Sequence, residues 1–211
     1  DRVQGGFAVG TVLPDGRTFL AVDRFGIEPM CYQLVGGQLR FSQRADALGA
    51  TEIDPQAIFD YLYFHVIPSP RTIFKGVMRL PPGHCALFQD GQLTVTPYWV
   101  PDFQPASSGS ASFDALKDEF RGALQSAVAS QLDGGKPGCF LSGGTDSSTV
   151  AGMVGRAAGR QAATYSIGFE AEGYDEMAFA RIAAKAFGTE HHEYYVTPED
   201  LVQSIARVAG H

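Results

Sequence analysis

The sequence predicts two parts of different fold class: an α+β part built on antiparallel sheet over residues 1–98, and the start of an α/β part with a parallel sheet over residues 113–211. Three observations carry this. In the first part, short β-like runs are joined by tight turns such as Pro14-Asp15-Gly16, where Pro fixes φ and Gly takes the positive φ. In the second, short apolar runs alternate with helical patterns, the order that gives βαβ units and a parallel sheet. Between them, residues 99–112 turn to Pro, Gln, Ala, Ser and Gly, the composition of an inter-domain linker. The stretch near Pro105 to Ser110 is therefore the expected first site of limited proteolysis; first cleavage inside residues 138–150 would argue against this boundary.

In chain order, Phe7 to Val12 and Thr18 to Asp23 form a predicted hairpin. Met30 to Leu34 and Leu39 to Ser42 follow, turning at Gly36-Gly37. Between these pairs, Asp23 and Arg24 read most simply as a loop ion pair, of the surface kind that stabilises little. A helix is predicted over Asp54 to Phe64, with Asp54 as N-cap, Pro55 in the first turn, and Ile58, Phe59, Leu62 and Tyr63 at helical spacing. Ile67-Pro68-Ser69-Pro70 must be extended or turned, because each proline pushes its predecessor away from α. Leu80-Pro81-Pro82-Gly83-His84 is another fixed turn, and Cys85 to Phe88 pairs with Leu93 to Tyr98 across Gln89-Asp90-Gly91. The aromatic side chains of this stretch are expected in the core. His65 and His84 have no ligand-like neighbours in sequence and read as structural.

In the second part, Phe113, Leu116, Phe120, Leu124, Val128 and Leu132 recur every three or four residues, an amphipathic helix capped by Ser112 and ended by Gly134-Gly135. Gly138 to Leu141 is a strand, and Val150 to Ala158 a helix stopped at Gly159. Ala162 to Gly168 is the next strand, Glu170 to Asp175 an acidic loop, and Met177 to Phe187 a helix ended by Gly188. His192 to Val196 is a third strand, and Pro198-Glu199-Asp200 opens a third helix. Ligands of such sheets collect at the carboxyl ends of the strands, where Leu141 and Ile167 are expected close together. His191 and His192 are adjacent in or near a strand, so they point to opposite faces and do not readily chelate one metal.

The chemistry is concentrated in Leu141-Ser142-Gly143-Gly144-Thr145-Asp146-Ser147-Ser148, a strand end, a tight loop and a helix N-terminus. Free backbone N–H groups and the helix dipole there suit phosphate. Gly143 and Gly144 let backbone approach closely, and Ser142, Ser147 and Ser148 carry hydroxyl donors. Asp146 would repel phosphate directly, but fits if Mg²⁺ lies between them, since a hard cation takes carboxylate and phosphate oxygen together.

Bulk properties remove other classes. A net charge of −7 over 211 residues and a pI near 5.1 argue against a nucleic-acid surface. No apolar run approaches the roughly 18 residues of a membrane helix. Cys31, Cys85 and Cys139 have no paired spacing, so reduced thiols in a cytoplasmic protein are expected. There is no initiator Met or secretory signal at Asp1, and the pattern is unfinished at His211; the sequence reads as an internal fragment.

The loop has neither Gly-x-x-x-x-Gly-Lys-Ser/Thr nor Gly-x-Gly-x-x-Gly after a strand. Ser142 to Ser148 instead resembles the PP-loop of ATP pyrophosphatases, which split ATP between its α- and β-phosphates. Asp23-Arg24-Phe25-Gly26-Ile27-Glu28-Pro29-Met30 resembles a segment of class II, Ntn-type glutamine amidotransferase domains. Tyr63 to His84 is similar to the end of that domain in the asparagine synthetase B family, whose next two strands are matched by Ser166-Ile167-Gly168-Phe169 and Gly188-Thr189-Glu190-His191-His192-Glu193. The resemblance covers nearly the whole chain. It implies the C-terminal half of an Ntn-type glutaminase domain (residues 1–98), a linker (99–112), and the start of an adenine nucleotide α-hydrolase-like synthetase domain (113–211).

By that resemblance the substrates are ATP, aspartate, and glutamine or ammonia, with Mg²⁺ as cofactor and no nucleic acid or membrane as partner; a homodimer is admissible. Ser142, Gly143, Gly144, Asp146, Ser147 and Ser148 are implied to bind pyrophosphate, with Asp146 reaching Mg²⁺, and Leu141 and Ile167 to meet adenine through backbone groups. The family's nucleophile is an N-terminal Cys, and none of the three cysteines is terminal, so the glutaminase catalytic residues are unassigned. The family's second Ser-Gly-Glu-containing loop and its later Lys do not occur before His211. The fragment alone is therefore expected to be inactive. Two other readings stay open: a paralogue amidating a different carboxylate, of β-lactam synthetase-like or polysaccharide-tailoring type, and a non-catalytic nucleotide-binding domain. NAD and GMP synthetases fit the loop but not residues 1–98.

Overall fold

The computed structural model describes residues 3, 5–103, 112–132, 134–169 and 175–209. The central linker residues 104–111 and the acidic loop 170–174 lie outside these, and with them the expected proteolytic site. The chain divides into two compact units, Asp1–Ala106 and Ser107–His211.

The first unit is antiparallel throughout, as its turns predict. Strands β1 (Ala8–Val12) and β2 (Thr18–Val22) pair with Ala8 opposite Val22, and Leu13 N–H closes the turn on Arg17 O at 2.7 Å. β3 (Cys31–Val35) and β4 (Gln38–Ser42) form the next hairpin. Helix α1 spans Pro55–Phe64, and the two-residue strand β5 (Met78–Arg79) adds to β3. β6 (His84–Gln89) and β7 (Gln92–Pro97) close the unit. One sheet has the order β1-β2-β6-β7, the other β4-β3-β5. Leu20, Val22, Met30, Leu80 and Ala86 form one core cluster, and Cys31, Leu48 and Val77 a second. Tyr98 Oη donates to Val22 O at 2.6 Å, tying the end of the unit to β2. Tyr98→Phe is expected to cost about 1 kcal/mol in urea unfolding, the worth of one neutral hydrogen bond.

Two expectations are corrected here. Asp23 and Arg24 are not an ion pair. Asp23 is buried, and its carboxylate accepts four backbone N–H groups: Phe25 and Ile27 at 3.0 Å on Oδ1, Glu28 at 3.0 Å and Phe7 at 3.2 Å on Oδ2. Arg24 turns away, its guanidinium 5.8 Å from the Trp99 ring centroid. The second correction concerns α1. Asp54 caps it as predicted, accepting from Gln56 N–H at 3.0 Å, and Arg71 bonds Asp54 at 2.6 Å. Yet α1 buries Ala57 alone, while Phe59, Tyr61, Tyr63 and Phe64 are all more than half exposed. No second layer covers that face among the described residues, so the rings pack on one another, Phe59 with Tyr63 at 6.1 Å and Tyr63 with Phe64 at 4.8 Å.

The second unit is α/β. Helix α2 spans Phe113–Ala129, with the Ser112 hydroxyl accepting from Ala115 N–H at 3.2 Å. It stops at Ala129, ahead of Leu132 and the glycine pair, where backbone bonds tighten into a turn through Gln131 and Leu132. Strands β8 (Gly138–Phe140), β9 (Ala163–Phe169) and β10 (Glu190–Val196) form a parallel sheet in the order β10-β9-β8. Helices α3 (Thr145–Ala158), α4 (Met177–Phe187) and α5 (Pro198–Ala209) follow the three strands. The core is small-residue packing of Leu141, Ala151, Ala180, Ala183 and Ala184, which lets α3 and α4 come close.

β9 alternates cleanly. Thr164, Ser166 and Gly168 are buried on one face, while Tyr165, Ile167 and Phe169 stay 40–53% exposed on the other, where only Ala163 at the strand start is buried. Phe140 and Tyr194 share that open face by register. His191 and His192 do take opposite faces: His191 Nδ1 lies 3.0 Å from Thr164 Oγ1, and His192 stacks on Tyr165 at 5.0 Å.

Candidate active site

The PP-loop-like segment sits where the sequence predicts, between β8 and α3. The helix, however, begins at Thr145, not at Val150, so Asp146, Ser147 and Ser148 belong to its first turn. The reason is local. Gly144 serves as N-cap with extended backbone, and its carbonyl accepts Ser148 N–H at 3.0 Å, the first helical bond. The N–H groups of Thr145, Asp146 and Ser147 precede that bond and emerge from the helix end, where the dipole is positive.

The loop is held in shape by its own hydroxyls. Ser142 Oγ and Ser147 Oγ are 3.0 Å apart, Ser142 N–H donates to Ser147 Oγ at 3.2 Å, and Gly144 N–H donates to Ser142 Oγ at 3.4 Å. Leu141 N–H donates to Tyr165 O at 2.9 Å, and the Ser166 hydroxyl donates to the Leu141 carbonyl, locking β8 to β9 where the loop leaves the sheet. Ser148 differs from its neighbours. Its Oγ is shielded from solvent and has no partner, so it cannot meet a phosphate in this arrangement.

Gly143 is required for a reason the sequence did not disclose. Its φ is +87°, and a Cβ there would stand 2.4 Å from Ala180 N and from the Phe179 carbonyl carbon, so the loop rests on the first turn of α4. Arg181 fixes that helix to β10 through two bonds to Glu193, Nε at 2.8 Å and Nη2 at 2.6 Å, and the guanidinium holds the Glu193 carboxyl below its usual range. Gly144 is unlike Gly143: its φ is −68°, and a Cβ would meet Ser142 Oγ at 3.5 Å, an ordinary contact. Gly143→Ala is therefore expected to destabilise the unit by at least about 2 kcal/mol, through a left-handed φ and a backbone clash. Gly144→Ala should cost about 1 kcal/mol or less. Thermal unfolding of the two variants side by side separates them.

Beside the loop is a hollow of about 280 Å³, lined by Leu141, Ser142, Ser166, Ile167, Glu176 and Met177 among others. Leu141 and Ile167 do converge there, with Ser142. Gly143, Gly144, Asp146, Ser147 and Ser148 lie along the loop and first turn, outside its lining. Ser166, Glu176 and Met177 were not foreseen. The period-two pattern of β9 would have found Ser166, which shares the α4 face with Thr164; nothing in the sequence alone marked Glu176.

Asp146 stands exposed in the first turn of α3. One carboxylate beside several N–H donors fits Mg²⁺ that draws its remaining oxygens from phosphate and water. It does not fit a metal held by protein alone, and no group of three His, Cys, Asp or Glu side chains able to hold one occurs among the described residues. No helix among them is long and apolar enough to cross a membrane. In the first unit a hollow of about 610 Å³ lies against the Asp23 loop and is lined by Phe7, Asp23, Arg24, Phe25, Ile27 and Tyr98 among others.

Comparison with known proteins finds two family matches along the chain. Residues 1–99 match the glutamine amidotransferase domain family, and residues 119–211 the asparagine synthase family. Asparagine synthetase [glutamine-hydrolyzing] 1 of Bacillus subtilis is 30% identical over 197 residues, 90% of this chain and 30% of that protein. Asparagine synthetase [glutamine-hydrolyzing] 3 of the same organism is 29% identical over 208 residues, 89% of this chain and 33% of its own length. Amidase chyE of Penicillium rubens is 30% identical over 210 residues, 90% of this chain and 31% of its own. The chain thus spans about a third of the length of the curated relatives it matches. Residues 1–99 thus belong to the glutamine amidotransferase domain family and residues 119–211 to the asparagine synthase family.

Proposed function

We propose that this chain is part of a cytoplasmic, ATP-dependent amide ligase that converts aspartate and glutamine to asparagine and glutamate, releasing AMP and pyrophosphate. The observation that carries the reading is the Ser142–Ser148 loop: it opens α3 at the carboxyl end of a parallel strand, beside a hollow shared by Leu141 and Ile167. The matched amidotransferase segment in residues 1–99 supports glutamine as the ammonia source.

A carboxylate is a poor electrophile until one oxygen becomes a good leaving group. In the proposed reaction the aspartate side chain attacks the α-phosphorus, and the bond to the bridging oxygen breaks with its electrons on pyrophosphate. Ammonia then attacks the carbonyl carbon of the acyl adenylate, AMP leaves, and the surplus ammonium proton goes to solvent. In this scheme the emerging N–H groups of Thr145, Asp146 and Ser147 and the hydroxyls of Ser142 and Ser147 hold the departing pyrophosphate. Asp146 would hold Mg²⁺, which supplies charge neutralisation on the phosphates when bound. Leu141 and Ile167 flank the adenine. The Leu141 N–H is already used inside the sheet, so its contact is through the carbonyl's second lone pair. Ser148 is left out of the phosphate set.

The test is pyrophosphate release by the full-length protein from MgATP and ammonia, with and without aspartate, with the amide product identified by mass. Aspartate-dependent release with asparagine formed supports the reading. Release that ignores aspartate favours the second reading, a paralogue amidating another carboxylate. That alternative is kept because Amidase chyE matches as much of the chain, at the same identity, as the Bacillus asparagine synthetase does.

A further inference from the structure

The walls of the hollow beside the loop are apolar or already committed. Ile167, Phe169 and Met177 are apolar, and the Tyr165 ring is stacked on His192. The Ser166 hydroxyl is given to the Leu141 carbonyl, and Ser142 is tied to Ser147 and Gly144. Glu176 is the one ionisable carboxyl among the described lining residues. It stands at the N-terminal boundary of α4 and makes no side-chain capping bond there; Met177 N–H is taken instead by Asp175 Oδ1 at 3.2 Å.

A carboxylate only accepts hydrogen bonds. Next to a phosphate-binding helix end it repels the anionic end of a nucleotide, so it must meet neutral donors. In a ribonucleotide the donors that come as an adjacent pair are the two ribose hydroxyls, which suit the two oxygens of one carboxylate. The size agrees: about 280 Å³ is near the low end of ligand pockets, about 300–1,000 Å³, and takes a nucleoside whose phosphates lie outside at the loop. We propose that Glu176 binds the ribose hydroxyls of the nucleotide and thereby selects ribonucleoside over deoxyribonucleoside triphosphates. This rests on the nucleotide-binding reading above.

The experiment is calorimetric titration of the full-length protein and its Glu176→Gln and Glu176→Ala variants with ATP, 2′-deoxyATP, 3′-deoxyATP and ITP, circular dichroism confirming that each variant is folded. The wild type should bind at least one deoxy nucleotide about tenfold more weakly than ATP, the worth of one hydrogen bond to a charged group. Glu176→Ala should bind ATP about tenfold more weakly and lose that discrimination, with Glu176→Gln between. A deoxy penalty that persists undiminished in Glu176→Ala overturns the proposal, as does unchanged ATP affinity in that variant. Loss of discrimination against ITP alone would overturn it in favour of a contact to the base. A folded wild type that binds no ATP overturns the nucleotide reading itself, an outcome distinct from these.

Discussion

Asp146→Ala in the full-length protein is expected to reduce ATP-dependent pyrophosphate release by about 10²–10³-fold or more, while glutamine hydrolysis continues. The size follows from what this side chain can do at its position. It is an exposed carboxylate in the first turn of α3, beside N–H groups that suit phosphate. Without an intervening cation it would oppose phosphate binding, so in the proposed reaction its contribution would be through Mg²⁺. The structural cost of removing it is small, because an acidic residue at a helix N-terminus is worth about 0.3–1 kcal/mol. The variant should therefore fold, and its defect should be chemical. Asp146→Asn separates charge from shape: it keeps the oxygen and loses the charge, and should be nearly as impaired. Added Mg²⁺ should rescue the Asn variant in part and the Ala variant less. Pyrophosphate release at the wild-type rate in Asp146→Ala would remove Asp146 from the mechanism, whatever the glutaminase half does.

Fold class was legible because local signals agreed with one another. Pro14-Asp15-Gly16 can hardly be anything but a turn, and Met177–Phe187 with Gly188 behind it was matched residue for residue. Boundaries failed where the deciding interaction was not periodic. The start of α3 was misplaced by five residues because Thr145, Asp146, Ser147, Ser148 and Thr149 carry no apolar pattern; Gly144 as N-cap and the Ser142–Ser147 hydroxyl contact decide it. The burial of α1 failed for a different reason. Helical spacing of Ile58, Phe59, Leu62 and Tyr63 says that one face is apolar, but not that the same unit supplies a cover. The loop glycines show a third limit. Sequence suggested one job for both, close approach to phosphate, whereas Gly143 is fixed by contact with Phe179 and Ala180, some thirty-six residues away in sequence. Glu176 is invisible to motif reasoning altogether, because only the fold brings the start of α4 to the end of β8.

Asp23→Asn should destabilise the first unit by about 3 kcal/mol or more at neutral pH, a large stability effect for a single loop position. Four backbone N–H groups point at one buried carboxylate, two on each oxygen. Asn keeps one oxygen and turns an NH₂ group toward two of those donors. It thus loses two charge-assisted bonds, each worth about 1.5–3 kcal/mol, and leaves buried N–H groups facing another donor. The pH dependence gives the mechanism away. Burial on its own raises the Asp23 pKa, but the bonds from Glu28, Ile27, Phe25 and Phe7 outweigh it and hold the carboxyl below its ordinary value. A folded pKa below the unfolded one contributes stability that is fully present above the unfolded value, about 3.9, and is lost as pH falls through the folded value. The wild-type advantage over Asp23→Asn should therefore be constant from pH 7 to about pH 5 and shrink below pH 4, measured by urea unfolding across that range. A gap that stays constant down to pH 2.5 would mean that the carboxylate's charge is not what organises the Asp23–Pro29 loop. Since the hollow of about 610 Å³ is built on that loop, the same variant should also lose thermal protection of the loop by any ligand that the hollow takes.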